Sequence, residues 1–374
     1  MRVAVLGAGG TIAPAIIRDL GLSDEVDGLV LLDLDVERAA AAAETFGGGK
    51  VVSRAVDARD VEGLAGELSG CDVLVNTASY RVNLEAMRAC LKAGCQYLDL
   101  GGLYWMTLRQ LELHDEFASA GLLAVLGIGS SPGKTNLMAA RAVRELSALS
   151  KADGVDSIDV FAGGRDLGVD PGDGVLRPPY AIQTLLDELT LAPVVLRDGA
   201  AVELSPLAPG GSVDYGPPIG EAETIYTLHS ELVSFGESFG ARQVSFRLSL
   251  APAVLEALKR LVGASDSEVA AAAAAAGRPS DRTVSVHMVR AASASGAGAA
   301  TSVTVRAVTE PHFGLGGSIV STAAPIAAAV RLYARGSLGA VGVLPPERCI
   351  EPDEMFAELE ERGCEFSVSS AEQR

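Results

Sequence analysis

The first thirty-five residues constrain the fold more than any other stretch of the chain. Val3 to Leu6 are continuously apolar, which suits a parallel strand buried on both faces, and the glycine cluster GAGGTIAPAI follows at once. Gly7 and Gly9 permit a sharp turn and close backbone approach to a ligand. The amides of Gly10, Thr11 and Ile12 then open a helix whose positive dipole end suits a pyrophosphate. Pro14 falls in the first helical turn, where proline is tolerated, and Ile12, Ile16 and Leu20 recur on one face. A second apolar run ends in LLDLD, placing Asp33 about 20 residues beyond the turn, where a carboxylate accepts both ribose hydroxyls of an adenosine. A 2′-phosphate would meet Asp33 and Asp35, so NAD is the expected cofactor and NADP the lesser one. Ile12 occupies the third-glycine position of the fingerprint, so close helix-to-sheet packing passes to Ala13.

The pattern of strand and helix repeats onward. VERAAAAAETF is helical, KVVSRAVDA is a strand ended by Asp57, and DVEGLAGELSG is a helix before the strand CDVLVNTAS. Helix RVNLEAMRACLKAG, strand QYLDLGG, helix TLRQLELHDEFASAG and strand LLAVLGIG complete six alternations. Such alternation specifies a doubly wound parallel sheet whose ligands lie beyond the carboxyl ends of the strands. Those ends carry Asp33, Asp57, Ala78 with Ser79 and Tyr80, Asp99 to Gly102, and Gly127 to Gly133.

From about residue 151 the texture changes to an α+β pattern with a largely antiparallel sheet. SIDVFAGG reads as a strand, a Pro/Gly-rich loop over 168–180 follows, and AIQTLLDEL is a short helix before the paired strands APVVLRDG and AAVELS. Ser265 and Glu268 form a capping box ahead of a polyalanine helix. TVSVHMVRA and TSVTVRAVT form a long hairpin around a Gly/Ser/Ala turn at 292–299. The chain is thus an α/β protein, with a Rossmann-type nucleotide domain from 1–140 and 330–374 and an inserted α+β domain over 141–329 for substrate and dimerisation.

At 374 residues both domains have room for a core, and no uninterrupted apolar run approaches the length of a membrane helix. The first strand starts at the second residue, which predicts no signal peptide and a cytoplasmic address. A formal net charge of −18 argues against nucleic-acid or anionic-membrane partners. The five cysteines form no CxxC pair, so no metal site and no disulfide framework is expected.

Two motifs fail on context. GIGSSPGKT misses a phosphate-binding loop by one register, with Ile128 where the first glycine is required. GESFG matches a nucleophile elbow around Ser238, but it is followed by the strand pattern VSFRLSL rather than a helix.

Taken in order, GAGGTIA, VNTASY, YLDLGG with LELH, GIGSSPGKTNL, FAGG and the closing SLGAVGVLPPERCI resemble the saccharopine dehydrogenase family, nearest its lysine 6-dehydrogenase branch. The resemblance implies hydride transfer between nicotinamide and a carbon bearing an amine, passing through an imine. It also implies a nucleotide domain completed by the C-terminal segment, and an inserted domain that often makes the dimer contact, so a homodimer or higher homo-oligomer is expected. Tyr80 matches a family tyrosine at the cleft, and Pro132 and Gly133 match the PG that begins a cleft-facing helix. Ser131 replaces the acidic residue of saccharopine-forming members, which favours the terminal amine of lysine or a related amino acid as substrate. Ala162 stands where some relatives have a reactive cysteine.

Oxidising an amine requires its free base, so a group titrating near neutrality must accept a proton, and histidine is best matched. His229 and His312, in loop-rich segments, are the candidates; His114 and His287 lie in helix and strand patterns and read as structural. Tyr80 would orient the amine or relay its proton, and Asp99 would hold an ammonium or cap the next helix. Arg165 and Arg177 are candidates for the substrate carboxylate, because a guanidinium fork matches two oxygens. Gly101 and Gly102 border cofactor and substrate respectively. Reductive coupling of an amine to a carbonyl compound and a non-catalytic NAD sensor remain as alternatives.

Overall fold

A computed structural model describes residues 1–46, 48–149, 154–170, 175–294 and 300–373. Most of the Pro/Gly loop's tip (171–174) and most of the hairpin turn (295–299) anticipated from the sequence lie outside the described residues, as does Gly47.

The chain begins with β1 (Arg2–Leu6), α1 (Ala13–Gly21), β2 (Gly28–Asp33), α2 (Val36–Phe46), β3 (Val51–Ala55), α3 (Val61–Glu67) and β4 (Val73–Asn76). It continues through α4 (Asn83–Ala93), β5 (Gln96–Asp99), α5 (Leu103–Leu111), α6 (His114–Ser119), β6 (Leu123–Val125) and α7 (Lys134–Leu149). Next come β7 (Ser157–Asp166), α8 (Ile182–Thr190), β8 (Val194–Arg197), β9 (Ala200–Glu203), β10 (Pro209–Asp214), β11 (Glu221–Tyr226), α9 (Glu231–Phe239) and β12 (Gln243–Ser249). The remainder is α10 (Pro252–Lys259), α11 (Asp266–Ala275), β13 (Thr283–Ala292), β14 (Ala300–Thr309), α12 (Gly317–Ala334), β15 (Gly342–Leu344), α13 (Pro352–Glu360) and β16 (Cys364–Gln373).

Two units result, with the divisions falling inside α7 and α12 and at the last residue of α13. The first comprises Met1–Leu137 and Thr322–Leu359, and the second Met138–Ser321 and Glu360–Arg374. In the first, seven parallel strands run in the order β15-β6-β5-β4-β1-β2-β3. Strand order reverses at β1, which has β2 on one side and β4 on the other, and this switch point is where open α/β sheets bind ligands. The continuous apolar runs of β1, β2 and β4 are buried because helices cover both faces. The seventh strand, β15, comes from the C-terminal segment, so that segment does complete the sheet. Its attachment is electrostatic as well as apolar. Arg331 on α12 grips Asp19 of α1 through both terminal nitrogens (3.0 and 3.2 Å) and Glu358 of α13 through Nε at 2.8 Å.

The second unit holds the expected largely antiparallel sheet, along β10-β11-β12-β7-β13-β14-β16, with β8 pairing β12 and β9. Among the described residues of this sheet, only the β12–β7 pairing is parallel. The β13–β14 hairpin and the Ser265 capping box form as anticipated. The tail departs from the expectation that 330–374 belongs wholly to the nucleotide domain. Residues 364–373 instead pair with β14 over ten positions, because an edge strand accepts a partner through its backbone whatever the side chains. Apolar length also misleads at α12, which is long and apolar enough to cross a membrane although the sequence showed no such uninterrupted run. Most of it is buried in the protein, as a core helix should be. Ser238 lies inside α9, so the elbow geometry is absent there.

Candidate functional site

In the first unit the glycine turn forms at the switch point. Gly7 has φ +78°, a left-handed conformation suited to glycine, and a Cβ there would stand 2.7 Å from the Ala78 nitrogen at the end of β4. Neither adjacent loop could therefore approach the other with a side chain between them. Gly10 N–H closes the turn on the Gly7 carbonyl at 2.9 Å, and α1 begins at Ala13 with Ile12 as its N-cap and Pro14 in its first turn. Ile12 is buried and Thr11 is exposed. Asp33, at the end of β2, is fixed by two backbone donors: Gly9 N–H to Oδ2 at 2.8 Å and Asp35 N–H to Oδ1 at 2.9 Å. Its carboxylate is thereby held beside the glycine turn. Arg38 of α2, which the sequence did not single out, donates to the Gly9 carbonyl and packs its stem against Gly9. Asp57 lies just past β3, exposed, accepting from Arg59 N–H.

The neighbouring strand ends complete the edge. Asn76 Oδ1 accepts from Ala78 N–H, and Ser79 caps the short turn that carries Tyr80, which is half-buried with the Arg81 guanidinium 4.8 Å from its ring centroid. Gly102 is the N-cap of α5. Pro132, preceded by Ser131, packs against both Gly101 and Gly127, where a Cβ would meet its ring at 2.8 and 2.6 Å. Ser131 Oγ lies 3.3 Å from Thr135 Oγ1.

Asp99 differs from what its position suggested. It is 1% exposed, and both oxygens are taken by protein donors: Gly101 and Gly127 N–H on Oδ1, and Tyr97 Oη, Asn83 Nδ2 and Gln110 Nε2 on Oδ2. Burial raises its pKa despite those five donors. Asp99 is consequently a tie between two loops of the site and presents no oxygen to a substrate ammonium.

The remaining candidates lie in the second unit, in separate surroundings. Arg165 is half-buried at the end of β7, donating to the Gly164 carbonyl and, at 3.4 Å, to Ser249 Oγ. Arg177 packs beside Gly277 and contributes charge near Asp166. His312 sits in a tight turn closed by reciprocal backbone bonds with Leu315, against Gly363 and Phe313. His229 is not in an open loop: it is 5% exposed and stacked on Phe246 with ring centroids 3.5 Å apart. Its Nδ1 is 3.2 Å from Glu231 Oε2 and its Nε2 is 3.9 Å from Glu188 Oε1. Glu188 Oε2 in turn accepts from Tyr180 Oη at 2.6 Å. Neither carboxylate was anticipated, although Glu188 interrupts the apolar stripe of Ile182, Leu185, Leu186 and Leu189 and is legible there as a buried charge.

Burial pulls the His229 pKa down most strongly of any single influence, but Glu231 and Glu188 together outweigh it and the net shift is upward. Burial raises Glu188 as well. A histidine with a raised folded pKa stabilises fully below its unfolded value of about 6.5 and loses that contribution as pH climbs through the folded value. The stability difference between wild type and His229→Gln is therefore expected to be largest below about pH 6.5 and to shrink at higher pH, as read by denaturant titration at a series of pH values.

Comparison with known proteins decides the character of the first unit: residues 3–125 match the model of the saccharopine dehydrogenase NADP binding domain. These residues are a saccharopine dehydrogenase-type nucleotide domain. A pyridine nucleotide is the cofactor of this domain, and the glycine turn, the switch point and the pinned Asp33 fit its pyrophosphate and ribose. The chain is 28% identical over 241 residues to carboxyaminopropylagmatine dehydrogenase of Synechocystis, an alignment that covers 62% of this chain and 58% of that protein. It is 31% identical over 126 residues to carboxynorspermidine synthase of Vibrio alginolyticus, covering 30% of each. The whole fold matches the L-Glu-forming saccharopine dehydrogenase of Saccharomyces cerevisiae, with a TM-score of 0.74 at 18% identity and 99% of both chains covered. It also matches a homospermidine synthase from Legionella pneumophila solved with NAD, with a TM-score of 0.75 at 12% identity, covering 99% of this chain and 91% of the other.

Proposed function

We propose that the chain is an NAD(P)-dependent oxidoreductase that forms or breaks a carbon–nitrogen link between an amine and a carbonyl compound, with a polyamine-type amine as substrate. The observation that carries the reading is the nucleotide corner, where Gly9 N–H holds Asp33 beside a glycine turn at the switch point. The substrate class draws its support from the relatives' names, which speak of carboxylated polyamines rather than lysine. Lysine's terminal amine, favoured by the motif pattern alone, thus becomes the second substrate to test.

In the reductive direction an amine and an aldehyde or keto acid lose water to give an imine, whose nitrogen takes up a proton and whose carbon gains a hydride, leaving a secondary amine. The reduced nicotinamide, when bound, supplies that hydride. The amides of Thr11 and Ile12, past the turn that Gly9 and Gly10 close, would hold the pyrophosphate and Asp33 the ribose, which selects NAD(H) because a 2′-phosphate would face the Asp33 and Asp35 carboxylates. Tyr80, at the carboxyl end of β4, orients the reacting nitrogen and relays its proton. Ser131, small and uncharged, leaves room for a substrate that lacks the saccharopine pattern of charge.

The test is consumption of NADH or NADPH, read at the nicotinamide absorbance band, with diamines or guanidino-amines paired with amino-acid semialdehydes or keto acids. Oxidation of lysine and of diamines with NAD is run alongside. Consumption only when amine and carbonyl compound are both present is the expected result. Oxidation of lysine alone would move the assignment to the lysine dehydrogenase reaction, and cofactor binding without turnover of any pair would leave a sensor.

A further inference from the structure

The nucleotide corner carries a cation as well as the carboxylate that defines it. Arg38, in the first turn of α2, lies against the glycine turn: a Cβ on Gly9 would stand 2.7 Å from Arg38 Cβ, 3.4 Å from its Nε and 3.2 Å from Asp33 Oδ2. The two side chains thus meet at one glycine. An exposed arginine ordinarily keeps its rotamer freedom, but this one is held, because a terminal nitrogen donates to the Gly9 carbonyl. That bond goes to a carbonyl and not to either neighbouring carboxylate. Asp33 instead accepts from the N–H groups of Gly9 and Asp35, and Asp35 Oδ1 accepts from those of Glu37 and Arg38 itself. One of the five guanidinium N–H groups is used in this way, and no further acceptor for them stands among the described residues.

We propose that Arg38 receives the 2′-phosphate of NADP(H), so that this corner admits both nucleotides and the opposed pair Asp33 and Arg38 sets the preference between them. The inference rests on the cofactor reading above and adds the residue that acts against Asp33. A guanidinium suits a phosphate monoester because its planar fork matches two oxygens through charge-assisted bonds. A ribose held by Asp33 through its hydroxyls brings its 2′ position to that carboxylate, and Arg38 is the guanidinium fixed beside it. With NADH the 2′-hydroxyl donates to Asp33, and Arg38 has no anion to take. With NADPH that donor is gone and the phosphate meets the Asp33 and Asp35 charges, a repulsion that Arg38 offsets in part. NADH therefore stays the preferred nucleotide while NADPH remains usable.

The experiment is calorimetric titration of NADH and of NADPH into the full chain, as wild type and as Arg38→Met, a substitution that keeps a stem against Gly9 and removes the charge. The expected result is NADPH affinity weakened about 10- to 100-fold, the loss of charge-assisted hydrogen bonds, with NADH affinity changed by less than about threefold. Where NADPH binds wild type too weakly to titrate, the same comparison is made in Asp33→Ala, in which adding Arg38→Met must weaken NADPH by the same factor. Equal weakening of both nucleotides would make Arg38 a support for the part they share, and unchanged NADPH affinity would make it a surface residue. Either result overturns the inference while the cofactor reading stands. Failure of wild type to bind NADH or NADPH overturns that reading and the inference together.

Discussion

Asp99→Asn is expected to lower stability by about 2–4 kcal/mol, because an amide N–H would face donors whichever oxygen it replaces, two at Oδ1 or three at Oδ2, at roughly 1–3 kcal/mol for each buried group left unmatched. The network cannot simply reverse. Asn83 Oδ1 already accepts from Asn76, and Gln110 Oε1 accepts from Asn83, so flipping either amide breaks another bond. The effect should reach the site, since Gly101 and Gly127 lose their common acceptor and the loops after β5 and β6 lose their tie. A melting-temperature fall of several degrees accompanied by a rise in KM for cofactor and substrate together is the expected pattern. A variant as stable as wild type that lost only kcat would instead make Asp99 a catalytic residue.

Arg331→Met should cost about 3–5 kcal/mol, the range for removing one partner from a buried ion pair. Arg331 and Glu358 are 4% and 8% exposed, and the guanidinium lies between Glu358 and Asp19, so its loss removes the charge that balances them. Arg335 continues the network to Glu358 and Glu25. Because these residues join α1, α12 and α13, the variant should unfold the nucleotide unit at lower denaturant concentration and expose β15 to proteolysis. Denaturant titration with and without NADH would read this, saturating cofactor restoring part of the loss. An unchanged midpoint would place the attachment of the C-terminal segment in its apolar contacts alone.

How much of this could be read from the sequence follows from the kind of interaction involved. The parallel strands were legible because burial on both faces leaves unbroken apolar runs, as in Val3 to Leu6 and Leu29 to Leu32. The glycine turn and Asp33 were legible because positive φ and close approach restrict residue type. The strand at 364–373 was not, since a polar edge strand such as SVSSAEQ pairs through backbone groups that every residue carries. Nor were the ties of Asp99, Arg331 and Arg38, because most of their hydrogen-bond partners lie 11 to 312 positions away and leave no local pattern. His229 was picked out for its chemistry, but its setting depends on Glu188, 41 residues away, and on a Phe246 ring supplied by another strand.

The account stands on Asp33 gripping the adenosine ribose of a pyridine nucleotide. The most direct measurement is calorimetric titration of NADH and NADPH into wild type and Asp33→Ala. Loss of the hydrogen bonds that the ribose hydroxyls would donate to a charged acceptor predicts NADH affinity weakened about 10- to 150-fold in the variant, with wild type preferring NADH and the preference narrowing or reversing once the carboxylate is gone. Equal NADH affinity in the two proteins, or no binding of either nucleotide to wild type, would contradict it.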